Sequence, residues 1–590
     1  MTNHHTNIKT FIKTFLLLAF FTTSTLNTKA QDIYATINAI LNEKRNEEKA
    51  NLQTGKDTKV QENNTSETAE SDIFETSEND TFDAPSYDDL WQIPSYPLHE
   101  IRAVWLATIG GIDWPRTKAT DSYSIQRQKQ ELTSMLDKLQ RANINMVVMQ
   151  TRIRGTVIYP SNIEPWDDCL TGKYGKHPGY DPLQFAIEEC HRRGMEFHAW
   201  IVSIPLGELQ KQKAYGSSSI MRKHPNLCKA VGSEVFMQPS ASGTADYIAN
   251  LCREIVQKYD VDGISLDYIR YPEAVYRYKD NASASQKREN ITRIVRRVHD
   301  VVKSIKPWVK LSSSPIGKFR DLKRYSSSGW NCYDAVYQDP QAWLRDNLQD
   351  MLFPMMYFRE NHFYPFLFDW LEHSYGHPVA PGLAVYMLDP REGKWVLNDV
   401  RAQMHTSRNS KIGGMILYRA KFLNDNHKGI YKTSCQEFFP YPALPPRMTW
   451  SSDTIAPLPP RNLKCENGVL SWTEGNPQNE ESYTYYNIYG SNFYPVDVTK
   501  AENLLQARVL STQFELTGRA TSRRYYAVCA SDRFGNQSKS AQEQNVMTSL
   551  PPSTDAWNPC SRIGDNGKRV DDRMKLLKSS SGKKSKKRKR

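Results

Sequence analysis

The sequence predicts an α/β chain in which a (β/α)8 TIM barrel is followed by a small all-β sandwich. Eight apolar runs of strand length alternate with helix-period segments over residues 98–440, the count for such a barrel. An open doubly wound sheet is the alternative, but no glycine-rich phosphate loop follows the first strand. Past a proline-rich stretch the helix period ends and short alternating strands begin. The 590 residues, 39% hydrophobic and 24% charged, allow two or three domains with buried cores.

Residues 1–30 read as a secretory signal peptide. Lys9 and Lys13 precede an apolar run from Phe15 to Phe21, and small and polar residues then lead to a cleavage point after Ala30. The run is shorter than the ~20 apolar residues of a membrane span. No cysteine stands at the cleavage point to carry a lipid, so the expected product is periplasmic or secreted. Residues 31–97 are an acidic flexible linker: Gln61 to Leu90 holds ten Asp/Glu and no Lys/Arg, and cannot bury enough apolar surface to order itself.

The barrel begins with Ile101–Thr108 as a strand, then Ile125, Leu132, Met135, Leu136 and Leu139 at helical spacing. Asn145–Thr151 is the second strand. Asp181-Pro182 pairs an N-cap with a proline at the first helical position, and Arg192-Arg193-Gly194 closes that helix. Glu196–Ile204 is the third strand and, after a helix around Ala245–Tyr259, Val261–Ile269 is the fourth. Ile291, Ile294, Val295, Val298, Val301, Val302 and Ile305 mark a long amphipathic helix. Lys310–Ser314, Met351–Phe358, Val379–Met387 and Gly414–Tyr418 complete the eight.

Residues 441–456 form a stiff proline-rich linker. In residues 457–549, a Trp on an early strand (Val469–Trp472) and Tyr-Tyr-Ala-Val on a late one (Arg524–Ala530) resemble a fibronectin type III-like sandwich. Residues 550–590 are a disordered basic tail. The ten Lys/Arg of residues 573–590 and the three of residues 1–30 account for more than the formal charge of +12, so the rest of the chain is near neutral. That excludes a basic nucleic-acid-binding body and leaves the tail as a contact for anionic envelope polymers. Nine cysteines without CxxC pairs or zinc-like spacing point to scattered buried thiols, with one or two disulfides at most. No metal or other cofactor is called for.

A barrel of this kind carries its active site at the C-terminal strand ends. In the fourth strand Asp262 lies at the start, where an acid caps or turns the chain, and Asp267 lies at the end, facing the mouth. Arg270 is near enough in sequence to pair with Asp267 and keep it ionised. Trp105, Trp114, Trp166, Trp200, Tyr268, Tyr271, Tyr357 and Trp395 fall at or past strand ends, where aromatic planes suit the C–H faces of sugars. Half of them serve equally well as core. His198, on strand three, reads as structural.

The run from Gln150, QTRIRGTVIYPSNIEPWDDCLTGKYGKHPGYDPLQFAIEECHRRGMEFHAW, together with DGISLDYIRYP from Asp262, resembles the glycosyl-hydrolase-like family 10 of exported bacterial proteins. The resemblance covers residues 98–440. It implies a barrel glycosidase whose relatives cleave peptidoglycan glycan strands, preferring those stripped of peptides. It places a family acid at Asp267 and includes Glu164 in the family pattern.

Glycoside hydrolysis by two carboxyl groups needs one ionised and one carrying a proton, about 5 Å apart for retention and about 6.5–9.5 Å for inversion. Asp267 is the candidate for the ionised member. Glu208, Glu164, Glu360 and Asp389 are available as its partner, with Glu208 and Glu164 foremost. Arg152 and Arg154 are candidates to hold substrate carboxylates, or to pair with Glu164 or Asp267. The alternatives are a non-catalytic glycan-binding protein on a barrel that has lost its acid pair, and a hydrolase of another polysaccharide.

Overall fold

The computed structural model describes residues 96–548, apart from 274–277, 279, 324–328 and 477–483. The signal peptide, nearly all of the acidic linker, the basic tail and Cys560 lie outside the described residues. Eight parallel strands form one sheet: β1 (Ile101–Leu106), β2 (Met146–Arg152), β3 (Glu196–Val202), β7 (Gly263–Asp267), β8 (Lys310–Ser314), β9 (Met351–Leu352), β10 (Gly382–Leu383) and β11 (Gly414–Leu417). Their order is β10-β11-β1-β2-β3-β7-β8-β9. A parallel bridge from Leu352 to Val379 brings the β9 edge to the chain entering β10, so the sheet curls until its ends meet. With helices between the strands, this is a TIM-like α/β fold.

β1, β2 and β3 are buried at every residue, which is why they read as continuous apolar runs rather than alternating ones. Alternate residues fill the interior: Ile101, Ala103 and Trp105 from β1, Met146 and Val148 from β2, Trp200 and Val202 from β3. β9 and β10 are shorter than the runs Met351–Phe358 and Val379–Met387. Pro354 closes in after one and Pro381 precedes the other, and proline has no N–H to give to the ladder.

A three-stranded antiparallel insert follows β3, with β4 (Pro205–Glu208), β5 (Cys228–Val231) and β6 (Glu234–Met237) in the order β4-β6-β5. Its strands are four residues each, too short for a periodic signal. Among the described residues no helix is long and apolar enough to cross a membrane, and no disulfide joins the described cysteines.

The C-terminal part holds two three-stranded antiparallel sheets. β12 (Arg461–Glu466), β13 (Val469–Thr473) and β16 (Gln513–Glu515) form one; β15 (Leu504–Val509), β14 (Tyr485–Ser491) and β17 (Tyr525–Ser531) form the other. Between them Trp472 meets the Tyr486 ring edge-on at 5.2 Å, over Ile488, Tyr526 and Val528. β14 is buried at all seven residues. Its second face, through Tyr489, joins Leu504, Ala527 and Cys529 in a cluster with Leu444 and Leu98 next to the base of β1.

The sandwich is therefore docked. Arg508 reaches from β15 to ion-pair with both Glu196, the first residue of β3, and Asp262, just before β7. His191 Nε2 lies 2.7 Å from Asp262, and Lys310 pairs with Glu196. Burial alone would raise both carboxyls, but Arg508 beside Asp262 and Lys310 beside Glu196 hold them below the usual carboxylate range. Asp262 is thus an interdomain anchor rather than only a cap, although it also accepts from the Phe197 N–H at 2.8 Å. Gly194, at φ +73°, leaves room for the Ala507 carbonyl where a Cβ would collide. The proline-rich segment is laid along the same base: Trp450 Nε1 donates to Asp350 at 2.7 Å, and Arg447 to Asn536 at 2.9 Å.

Candidate active site

Asp267 ends β7, in register with Val202 of β3 and Ser314 of β8. The next residue, Tyr268, takes φ +50°, a left-handed turn costly for a bulky side chain. That turn lets the Tyr268 N–H donate to Asp267 Oδ1 at 2.8 Å. Trp200 Nε1 donates to Oδ2 at 2.9 Å from the neighbouring strand. Asp267 is only 4% exposed. Its burial raises the pKa, outweighing the charge of Arg270 and the donated hydrogen bonds.

The expected Arg270–Asp267 pair does not form. Arg270 Nη2 donates to Glu273 at 2.8 Å, three residues on, and the guanidinium lies over the Tyr268 ring, 4.1 Å from its centroid. The direct partner expected to hold this carboxyl ionised is thus absent, and burial shifts the carboxyl toward its protonated form.

Aromatic rings stand over the same strand ends. The Tyr357 ring lies 5.3 Å from that of Tyr418, 5.8 Å from that of Tyr386 and 6.4 Å from that of Trp105. Beside them Asp113, buried, accepts from the Ala107 N–H at 2.9 Å and pairs with Arg419. Burial pushes its pKa up against that partner. Tyr386, Tyr418, Asp113 and Arg419 were not singled out in the sequence. Each falls just past a strand of the barrel, and that position was the available signal.

Glu164 and Arg152 are not open to a substrate. Arg152 donates to both oxygens of Glu164, at 2.8 and 2.6 Å, and Tyr247 OH donates to one of them at 3.0 Å. Arg152 also donates to the Ser203 carbonyl at 2.9 Å and has no exposed surface. The pair pins the loop after β2 to β3, which is the structural alternative for these residues. Asp389 is held by Arg391 well below the usual range. Glu360, at φ +53°, is exposed in a short turn.

Trp114 is core, its Nε1 donating to the Gln128 carbonyl at 2.8 Å, and Trp395 is buried beneath Arg359. Trp166 is half-buried, edge-on to His177 at 4.9 Å. Tyr271 is fully buried, its hydroxyl shared with Asp280 and Asn290. His198 is buried 3.1 Å from Glu196, at the base.

Two hollows meet at Arg154. One, of about 380 Å³, is bordered by Arg154, Glu234 of the insert, Tyr268, Arg270 and Glu273. The other, of about 150 Å³, is bordered by Arg154, Asp167, Asp168, Gly207 and the exposed Glu208. The structure thus gathers Asp267, Trp200, Tyr268, Arg270 and Tyr357 at the strand ends, with Arg154 on the hollow that Tyr268 and Arg270 border and Glu208 on the second hollow that also reaches Arg154. It sets Glu164, Arg152, Trp166 and Tyr271 into supporting structure.

Residues 100–381 match the family model described as glycosyl hydrolase-like 10. The chain is 30% identical over 493 residues to glycosyl hydrolase YngK of Bacillus subtilis (strain 168), covering 75% of this chain and 92% of that protein. It is 31% identical over 373 residues to glycosyl hydrolase DigH of Escherichia coli (strain K12), covering 55% and 84%. Among solved structures it is similar to the glycoside hydrolase domain of PgaB (BpsB) from Bordetella bronchiseptica. That similarity has a TM-score of 0.41 and 14% identity, over 57% of this chain and 98% of the other. With the first of these relatives matched along almost its whole length, the chain belongs to the glycosyl hydrolase-like 10 family.

Proposed function

We propose that this protein is an exported glycoside hydrolase of a bacterial glycan, foremost peptidoglycan strands, with Asp267 as its proton-carrying carboxyl. The observation that carries this reading is a single carboxyl buried at the tip of the fourth barrel strand, raised by its burial and surrounded by aromatic rings. A carboxyl whose pKa is raised by burial is shifted toward the form that can pass a proton to a leaving glycosidic oxygen. The Trp200 and Tyr268 N–H groups then steady the carboxylate that remains. Tyr357, Tyr386 and Tyr418 offer faces for sugar rings. Glu208, exposed beyond Arg154, is the companion carboxyl that activates water or the substrate from the open side.

The signal peptide delivers the chain to the periplasm or the medium, and the C-terminal sandwich is read as fibronectin type III-like. Glycan binding without hydrolysis is the second reading, favoured by the ion pairing that engages Glu164 and Asp389. The experiment is product release from purified peptide-free glycan strands by wild type, Asp267→Asn and Glu208→Gln. Shortened glycans from the wild type alone support the hydrolase. Retention of glycan without cleavage by a folded wild type supports the binding protein.

A further inference from the structure

We propose that Arg270 and Arg154 form a carboxylate-recognition subsite beside Asp267, so that the bound glycan presents an acidic sugar there. The inference rests on the glycan reading above and names the sugar chemistry that it leaves open.

Arg270 is only 3% exposed, yet its Nε and Nη1 have no hydrogen-bond partner among the described residues. A buried guanidinium with two unmatched donors carries a desolvation cost that its contacts with Glu273 and the neighbouring rings leave partly uncovered. It lies over two rings, its central carbon 4.1 Å from the Tyr268 centroid and 5.6 Å from that of Trp330. Its remaining edge meets Glu273, a surface carboxylate with a side chain 53% exposed. A protein carboxylate thus already occupies the outward edge of this guanidinium, in the manner of the group we expect a substrate to bring.

Arg154 borders the same cavity from the start of the loop after β2. It is half-buried and makes no ion pair with a described residue. Arg152, two residues earlier, is the arginine that Glu164 engages, and Arg154 is left outside that pair. Planar guanidinium groups bind carboxylates through paired N–H donors, a geometry that ammonium groups do not reproduce. Glu234, which borders the same cavity, offers an acceptor for sugar hydroxyls. A cavity of about 380 Å³ accommodates one substituted sugar ring.

Two sugar chemistries carry the required group: the lactyl ether of a muramic residue and the C6 carboxylate of a uronic acid. On a muramic residue, an amide-linked stem peptide removes the charge.

The test is titration of full-length Asp267→Asn with three ligands: peptide-free glycan strands, the same strands with their carboxyls reduced to alcohols, and oligouronates. Tighter binding of native than reduced strands, by tenfold or more, supports the subsite. So does loss of that discrimination when Arg154→Gln is added. Equal binding of native and reduced strands overturns it, as does discrimination that survives both Arg154→Gln and Arg270→Lys in folded protein. Preference for oligouronates keeps the subsite and changes the source of the sugar. Cleavage by the wild type is scored separately: discrimination without cleavage supports the subsite and overturns the hydrolase reading, and cleavage without discrimination does the reverse.

Discussion

A carboxyl whose pKa rises on folding opposes folding once the pH passes its unfolded value. For Asp267 that value is 3.8, so its burial costs stability from there upward. Asp267→Asn removes the charge and still offers an oxygen to Trp200 Nε1. We expect it to lower glycan cleavage on the order of 10²–10⁴-fold while melting at or above the wild-type temperature near neutral pH. The gap should close as the pH falls and the wild-type carboxyl takes its proton. Thermal melts across the pH range check this, and a variant clearly less stable at pH 7 contradicts it. Glu164→Gln is expected to behave oppositely. It leaves Arg152 charged and unpaired with no exposed surface, a loss of about 3–5 kcal/mol visible in denaturant unfolding.

At the scale of the strand, β7 admits no side chain at its first residue. Gly263 lies against the His198 ring, and a Cβ there would overlap it. Gly263→Ala should cost about 1–3 kcal/mol by overpacking, read as a lower denaturant midpoint with an unchanged slope. The sequence made the long parallel strands legible because both faces are covered and the runs are mainly apolar with few polar interruptions. It also marked Asp267, because a lone acid closing such a run stands out. It did not reveal β4–β6, whose four-residue strands carry no period, and it left the partner of Arg152 open between Glu164 and Asp267, a choice made by a contact twelve positions apart. The mouth was half legible. Tyr268 and Tyr357 were visible as aromatics past strand ends, whereas Asp113 and Arg419 meet only when the first and last strands come side by side.

For the whole molecule, the docking of the sandwich sets the cooperativity. Arg508→Gln leaves Asp262 and Glu196 without their common partner and should split one thermal transition into two, resolved by calorimetry. The same acids set the acid limit. Both are depressed on folding, so their contribution is full above their unfolded values of 3.8 and 4.5 and is lost as the pH falls below them. Wild-type stability should therefore drop steeply below about pH 4, and Arg508→Gln should show a shallower acid slope.

The segment from Asp262 to Asp267 carries two unlike features five positions apart: one end grips the sandwich, and the other is the buried carboxyl we propose as the proton donor. Genes for barrels and sandwiches are commonly cut and rejoined at the linker between them. Here such a graft would sever more than a tether, because a replacement module must bring its own cation to the foot of the catalytic strand.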